Sequence, residues 1–133
     1  MLLKTETLEV RSEADVVRVR QAVRQWAIDQ RFSLVDQTKI VTAASELARN
    51  TLIYGGGGTA RLEALEEGAR RGVRVVFEDQ GPGIPDIERA LQDGFTSGGG
   101  LGLGLGGAKR LVNEFDIRSA PGQGTCVTIA RWR

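Results

Sequence analysis

Four groups of residues in this 133-residue chain have the types and spacing for ligand chemistry. Glu46 and Asn50 stand four positions apart, the separation at which two side chains on one helix reach the same ligand. An amide oxygen beside a carboxylate suits Mg²⁺, a hard cation that takes few protein ligands and keeps several waters. A bare Glu-x-x-x-Asn more often describes the solvated face of an amphipathic helix. Asp79-Gln80-Gly81-Pro82-Gly83 places a carboxylate where glycines end a strand. Such a carboxylate can accept a hydrogen bond from an exocyclic amine, while Gly83 lets a flat base approach the backbone. The same pattern also fits an ordinary turn in which Asp bonds nearby N–H groups. Thr125, after Gly122 and Gly124, is either a strand hydroxyl or a pocket ligand.

The fourth group is the densest. Between Gly94 and Gly107 eight of fourteen residues are glycine, and the run leads into Ala108-Lys109-Arg110-Leu111-Val112. Glycine loses more backbone entropy on ordering than any other residue, so such a stretch is no strand or helix interior. A glycine-rich loop feeding a helix start offers unpaired N–H groups to an anion, which suggests a phosphate-binding lid. Gly102-Leu103-Gly104-Leu105-Gly106-Gly107 satisfies G-x-G-x-x-G, but Phe95-Thr96-Ser97-Gly98 precedes it where a dinucleotide fold needs a strand. A Walker A loop needs Gly-Lys-Ser/Thr, whereas Lys109 lies between Ala108 and Arg110. A disordered linker is the plain alternative. Leu101, Leu103 and Leu105 alternating with glycines argue against it.

The surrounding pattern says which elements carry these groups. Leu3 to Val10 alternates weakly and reads as a strand. Ser12 with Asp15 three residues on resembles a capping box, and Val16, Val19, Val23, Trp26 and Ala27 keep helical spacing to about Gln30. A second helix is expected from about Val35 to Tyr54, stopped by Gly55–Gly58. On its wheel, at about 100° per residue, Ile40, Val41, Ala44, Leu47, Ala48 and Leu52 share one arc, and Glu46 and Asn50 lie roughly opposite. Ala60–Leu65 and Val73–Glu78 read as a hairpin with a loose turn over Glu66–Gly72. A short helix over Asp86–Gln92 and another over about Leu103–Glu114 flank the glycine run. Phe115–Ala120 and Thr125–Trp132 read as two last strands around Pro121-Gly122-Gln123-Gly124. Paired helices and strands in hairpins point to an α+β two-layer sandwich, with a mixed, mostly antiparallel sheet covered on one face by helices. Residues 1–133 read as one domain.

Composition narrows the chemistry. The chain has no histidine, which removes Ser-His-Asp and Cys-His catalysis, histidine-ligated zinc and phosphorylation of its own histidine. A net charge of +1 makes no electrostatic case for nucleic acid or a membrane surface. No basic-then-apolar leader or membrane-length apolar run is present, and the single Cys126 fits a reducing, cytoplasmic setting. Cys126 is expected as a small core residue of the last strand.

Taken together and in order, the four groups resemble the motifs of the GHKL ATPase and kinase superfamily. Glu46-Leu47-Ala48-Arg49-Asn50 is similar to its N box, and Asp79-Gln80-Gly81-Pro82-Gly83 to its first glycine box. Gly102-Leu103-Gly104-Leu105-Gly106 is similar to the second glycine box, and Gly122-Gln123-Gly124-Thr125 to the terminal Gly-x-Gly-Thr. The whole chain resembles the small anti-sigma-factor-type serine/threonine kinases, nearest to those of the stressosome switch. Ala44–Asn50, Glu78–Ile87, Asp93-Gly94-Phe95 and Gly106–Glu114 carry that narrower likeness. The lid is richer in glycine than that kind, and Arg49 and Tyr54 depart from the N box of the sporulation anti-sigma kinases, so a sigma factor is not assigned as a partner.

The resemblance implies a Bergerat ATP-binding fold that uses ATP and Mg²⁺. It implies adenine on Asp79 with help from Gly81, Gly83 and Thr125, and phosphates wrapped by Gly102, Leu103, Gly104, Leu105 and Gly106. Asn50 would hold Mg²⁺, and Glu46 would be the general base toward a protein serine or threonine. Lys109 or Arg110 would support phosphate charge or simply line a solvated helix face. The implied substrate is a STAS-domain antagonist, and a PP2C-type phosphatase is the partner activated on release. The alternative is an ATP-binding anti-sigma or phosphatase-activating module with little catalysis.

Overall fold

Two serines start the two long helices. Ser12 caps α1 (Glu13–Asp29), its hydroxyl accepting from the Asp15 amide at 3.2 Å, and the Asp15 carboxylate accepts in return from the Arg11 amide at 2.9 Å. These reciprocal bonds satisfy donors that a helix start leaves open. Ser33 caps α2 (Leu34–Ile53) in the same way through the Asp36 amide at 3.1 Å. Both helices fall within a residue of the spans expected from their apolar spacing. The computed structural model describes residues 1–84, 91 and 104–133. The expected helix at 86–92 and most of the glycine run, including Gly102 and Leu103, lie outside the described residues.

Five strands form one sheet: β1 (Leu2–Val10), β2 (Gly58–Glu67), β3 (Arg70–Asp79), β4 (Glu114–Ser119) and β5 (Thr125–Trp132). Their spatial order is β1-β2-β3-β5-β4, and the mostly antiparallel sheet expected is antiparallel in all four of these pairings. A short helix, α3 (Gly104–Arg110), packs against α2. It ends before the Glu114 expected, because Leu111–Asn113 are used to turn the chain into β4. The β2–β3 turn is also tighter than expected. Glu67 pairs with Arg70, leaving only Gly68-Ala69 between them, and Gly68 has φ +59°, as a two-residue hairpin turn of the II′ kind requires.

The helices cover one face of the sheet. Ala60, Leu62 and Ala64 of β2, Val73, Val75 and Phe77 of β3, and Val127 and Ile129 of β5 are buried in one cluster with the helix residues Val19, Val23, Trp26, Ile40, Ala44 and Leu47. The period-2 alternation of the strands and the helical spacing of α1 and α2 thus meet on a common core. The opposite face carries charge, with Arg61 and Arg74 flanking Glu63 and Arg61 also reaching Glu78. Cys126 lies on that face, paired in register with Glu78 and Arg118. It is half-buried, so the expected core role is not what the fold gives it; burial is the main cause raising its thiol above the ordinary value.

The two ends of the sheet differ in construction. At the end where β2 turns into β3, the Gln30 side-chain amide donates to the Leu65 and Gly72 carbonyls at 2.9 and 2.8 Å. Arg131 holds Asp36 at 2.6 Å and the Leu111 carbonyl at 2.9 Å, and Trp132 Nε1 donates to Glu114 at 2.6 Å. Those bonds pin both helices and the last strand to the sheet. At the other end stand Asp79, Thr125 and the glycine turns.

Candidate functional site

β2, β3, β5 and β4 finish side by side at the Asp79 end. Gly58 is paired with Asp79, Asp79 with Thr125, and Thr125 with Ser119, so four strands contribute one residue each to a single row. The alternation that buries Phe77 and Val127 places Asp79 and Thr125 on the helix-covered side.

The chain around Asp79 is shaped by backbone approach. Asp79 Oδ1 accepts from the Gly81 amide at 2.9 Å, an Asx turn across the strand end. A Cβ built on Gly55 would meet the Asp79 carboxyl group, and one built on Gly81 would lie 2.8 Å from the Gly55 Cα. The end of α2 and the Asp79 turn therefore meet closely at Gly55 and Gly81. Gly83 and Gly124 have φ of +79° and +75°, and a side chain on them would strike the Ala120 and Asp79 carbonyls respectively. Only glycine takes that backbone there without strain. Asp79 is half-buried, as are Gly81 and Gly83, while Gly124 is buried.

Glu46 and Asn50 project from the last turns of α2. Tyr54 and Gly55 both donate their amides to the Asn50 carbonyl, at 2.9 and 3.2 Å, so one helical turn links Asn50 to the glycine that abuts Asp79. A turn rises about 5.4 Å, which puts Glu46 one further turn back on the same face. Both are half-buried, and neither side chain has a hydrogen-bond or ion-pair partner among the described residues. The buried arc of α2 (Ile40, Val41, Ala44, Leu47, Ala48) lies against the core as the wheel requires.

Gly104, Leu105 and Gly106 open α3, with Gly104 at φ +69° and the Leu105 side chain 7% exposed in the core cluster. The leucine that interrupts the glycines is thus an anchor for this end of the glycine run. Lys109 and Arg110 are exposed at the other end of α3. Among the described residues no cluster of three or more histidine, cysteine or acidic side chains is placed to hold a metal. The available oxygen donors are the Glu46 carboxylate and the Asn50 amide, which fit a cation that keeps most of its own waters. No helix among the described residues is long and apolar enough to cross a membrane.

The structure thus brings Asp79, Gly81, Gly83, Thr125 and, one turn away, Asn50 to one end of the sheet. Two further residues belong to that end and carry no motif. Gly55 reads only as a helix stop in a run of four glycines, and its contact with Asp79 depends on two segments meeting in space. Ser119 is a lone serine at a strand end, yet its hydroxyl accepts from the Ile84 amide at 2.8 Å and lies 2.8 Å from Thr125 Oγ1.

Residues 35–133 match the family described as histidine kinase-, DNA gyrase B- and HSP90-like ATPase. The chain is 44% identical over 125 residues to a serine/threonine-protein kinase, RsbT, of Bacillus subtilis, spanning 94% of both chains. It is 29% identical over 119 residues to the anti-sigma F factor of a Thermoanaerobacter species, covering 85% of this chain and 82% of that one. Among solved structures, the crystal structure of the RsbU and RsbW domains of Rv1364c from Mycobacterium tuberculosis superposes with a TM-score of 0.66 at 22% identity, over 98% of this chain and 33% of that one. The mycobacterial sensor histidine kinase MprB superposes with a TM-score of 0.56 at 20% identity, over 96% of this chain and 97% of that one. These two likenesses speak to the fold.

Proposed function

Because the chain belongs to the histidine kinase-, DNA gyrase B- and HSP90-like ATPase family, and within it to the family of the serine/threonine-protein kinase RsbT, we propose that it transfers phosphate from Mg-ATP to a serine or threonine of a STAS-domain protein. The pathway is a partner-switching one in which release from that protein lets the kinase activate a PP2C-type phosphatase. The protein acts as one domain over residues 1–133, in the cytoplasm. The observation that carries the reading is the row of Asp79 and Thr125 closed by Gly55 and Gly81, with Glu46 and Asn50, whose side chains have no partner among the described residues, on the adjoining helix face.

Asp79 accepts the exocyclic amine of adenine through the carboxylate oxygen that the Gly81 amide leaves free. Gly55 leaves the Asp79 carboxyl group uncovered, Gly83 and Gly124 let the backbone turn close around it, and Thr125 adds a hydroxyl beside Asp79. The amides of Gly102, Leu103, Gly104, Leu105 and Gly106 would bind the phosphates. Asn50 would hold Mg²⁺ through its amide oxygen. When bound, that ion neutralises charge on the phosphate oxygens as it develops. The Glu46 carboxylate takes the proton of the acceptor hydroxyl as its oxygen attacks the γ-phosphorus, and the bond from that phosphorus to the bridging oxygen of ADP breaks. A positioned base contributes about 10²–10⁴-fold in rate.

Incubation with γ-labelled ATP, Mg²⁺ and a candidate STAS protein tests this. Label is expected on a serine or threonine of the partner. Intact nucleotide binding with no transfer would reject the kinase in favour of an ATP-dependent binding module, the reading that the similarity to proteins named anti-sigma F factor favours.

A further inference from the structure

Ser119, the last residue of β4, holds three contacts with one hydroxyl. The Ile84 amide donates to its Oγ at 2.8 Å, the Gly124 carbonyl lies 2.9 Å away, and Thr125 Oγ1 lies 2.8 Å away. A serine hydroxyl has one proton to donate and two lone pairs to accept with. Ile84 occupies one lone pair. All three contacts are satisfied together in one arrangement: Ser119 donates to the Gly124 carbonyl, and Thr125 donates to Ser119. The reverse orientation, with Ser119 donating to Thr125, deprives the carbonyl of the buried Gly124 of this donor, and an unmade bond at a buried group is costly.

We infer that Ser119 is a positioning residue that fixes the polarity of Thr125 and so the choice of nucleobase. With its proton held by Ser119, the Thr125 hydroxyl turns only lone pairs toward the neighbouring strand end. Directly across the β3–β5 pairing stands Asp79, an acceptor whose Oδ1 is already taken by the Gly81 amide. The Asp79 and Thr125 side chains therefore present acceptors alone. Facing C6, that pair of acceptors complements an amino group, which donates, and opposes an oxo group, which only accepts. The inference rests on the reading of this end as the ATP site and adds to it the means of rejecting 6-oxopurine nucleotides.

Equilibrium binding of ATP and ITP separates the two claims, since ITP replaces the 6-amino group by an oxo group, with a proton on N1, and carries the same ribose and phosphates. Wild-type protein is expected to prefer ATP. Ser119→Ala frees the Thr125 proton to face an oxo group, and the ATP-over-ITP ratio is expected to fall about tenfold, the scale of one mispaired polar contact. On a Thr125→Val background, where no hydroxyl remains to be oriented, adding Ser119→Ala is expected to leave the ratio unchanged. If Ser119→Ala does not fold, Ser119→Cys replaces it, because its thiol is a weak donor and acceptor but fills the same space. A serine that merely braces the turn would weaken ATP and ITP together, and an unchanged ratio in the single variant overturns the inference. An equal shift in the double variant overturns it as well. Wild-type protein that binds neither nucleotide overturns the ATP-site reading itself, whereas ATP preference that survives Ser119→Ala overturns only the polarity claim.

Discussion

The same strands end in two different ways. At the β2–β3 turn, polar groups are matched: Gln30 spans two backbone carbonyls, Arg131 bridges Asp36 and Leu111, and Trp132 is held by Glu114 with Arg70 over its ring at 4.4 Å. At the Asp79 end, glycines bring backbone against backbone, and the Glu46 and Asn50 side chains lack partners among the described residues. One end closes its hydrogen-bonding capacity within the chain, and the other keeps capacity for something outside it. Folding stability and the proposed ligand chemistry thus fall at opposite ends of β3 and β5, seven residues from Gly72 to Asp79 or roughly 23 Å at the usual strand rise.

That division can be broken by substitution. The largest effect is expected from Glu46→Gln, which should lower phosphotransfer by about 10²–10⁴-fold while leaving ATP affinity and thermal stability close to wild type. Normal transfer by this variant would remove Glu46 as the base. Asp79→Asn should weaken ATP binding about tenfold or more, since a hydrogen bond to a charged group is worth about 1.5–3 kcal/mol. Unchanged affinity in a calorimetric titration would contradict the adenine assignment.

The matched end should show the reverse signature. Gln30, 4% exposed, is the donor for two carbonyls, so Gln30→Ala should cost about 1–3 kcal/mol in urea unfolding with ATP affinity unaltered. Asp36 offers a pH test. Its hydrogen bond with Arg131 is the largest cause holding its carboxyl below the ordinary carboxylate value. The folded pKa is depressed, so its contribution is full above the ordinary range and lost as pH falls through the folded value. Asp36→Asn should therefore be less stable by about 1 kcal/mol at neutral pH, and the two stabilities should converge in acid. A gap that persists at low pH would remove the ion pair as its cause. The only gain is expected from Arg31→Gly. Arg31 is the one non-glycine residue with positive φ among those described, at +65° after α1, and relieving it should add about 1 kcal/mol.

Much of this was readable from residue order. Ser12 with Asp15 and the apolar spacing of α1 and α2 marked both helices to within a residue, because caps and periodicity are local. The Glu46–Asn50, Asp79–Gly83 and Gly122–Thr125 groups were legible because each is contiguous or one helical turn long. Ser119 and Gly55 were not, since their partners Ile84, Thr125, Asp79 and Gly81 come from other segments. The tight Gly68-Ala69 turn was obscured by Glu66, Glu67, Arg70 and Arg71, whose charges read as loop although they pair across the ladder. Cys126 was misplaced because strand residues alternate faces, and composition does not say which face a small thiol takes.

The most direct measurement follows backbone amide shifts residue by residue as Mg-ATP is added to the intact chain. Changes are predicted at Glu46–Asn50, Gly55, Gly81, Gly83, Ile84, Ser119 and Gly124-Thr125, with Gln30, Leu65, Gly72 and Trp132 unmoved. Shifts centred on the Gln30 end, or none at saturating Mg-ATP, would contradict an ATP site at the Asp79 end.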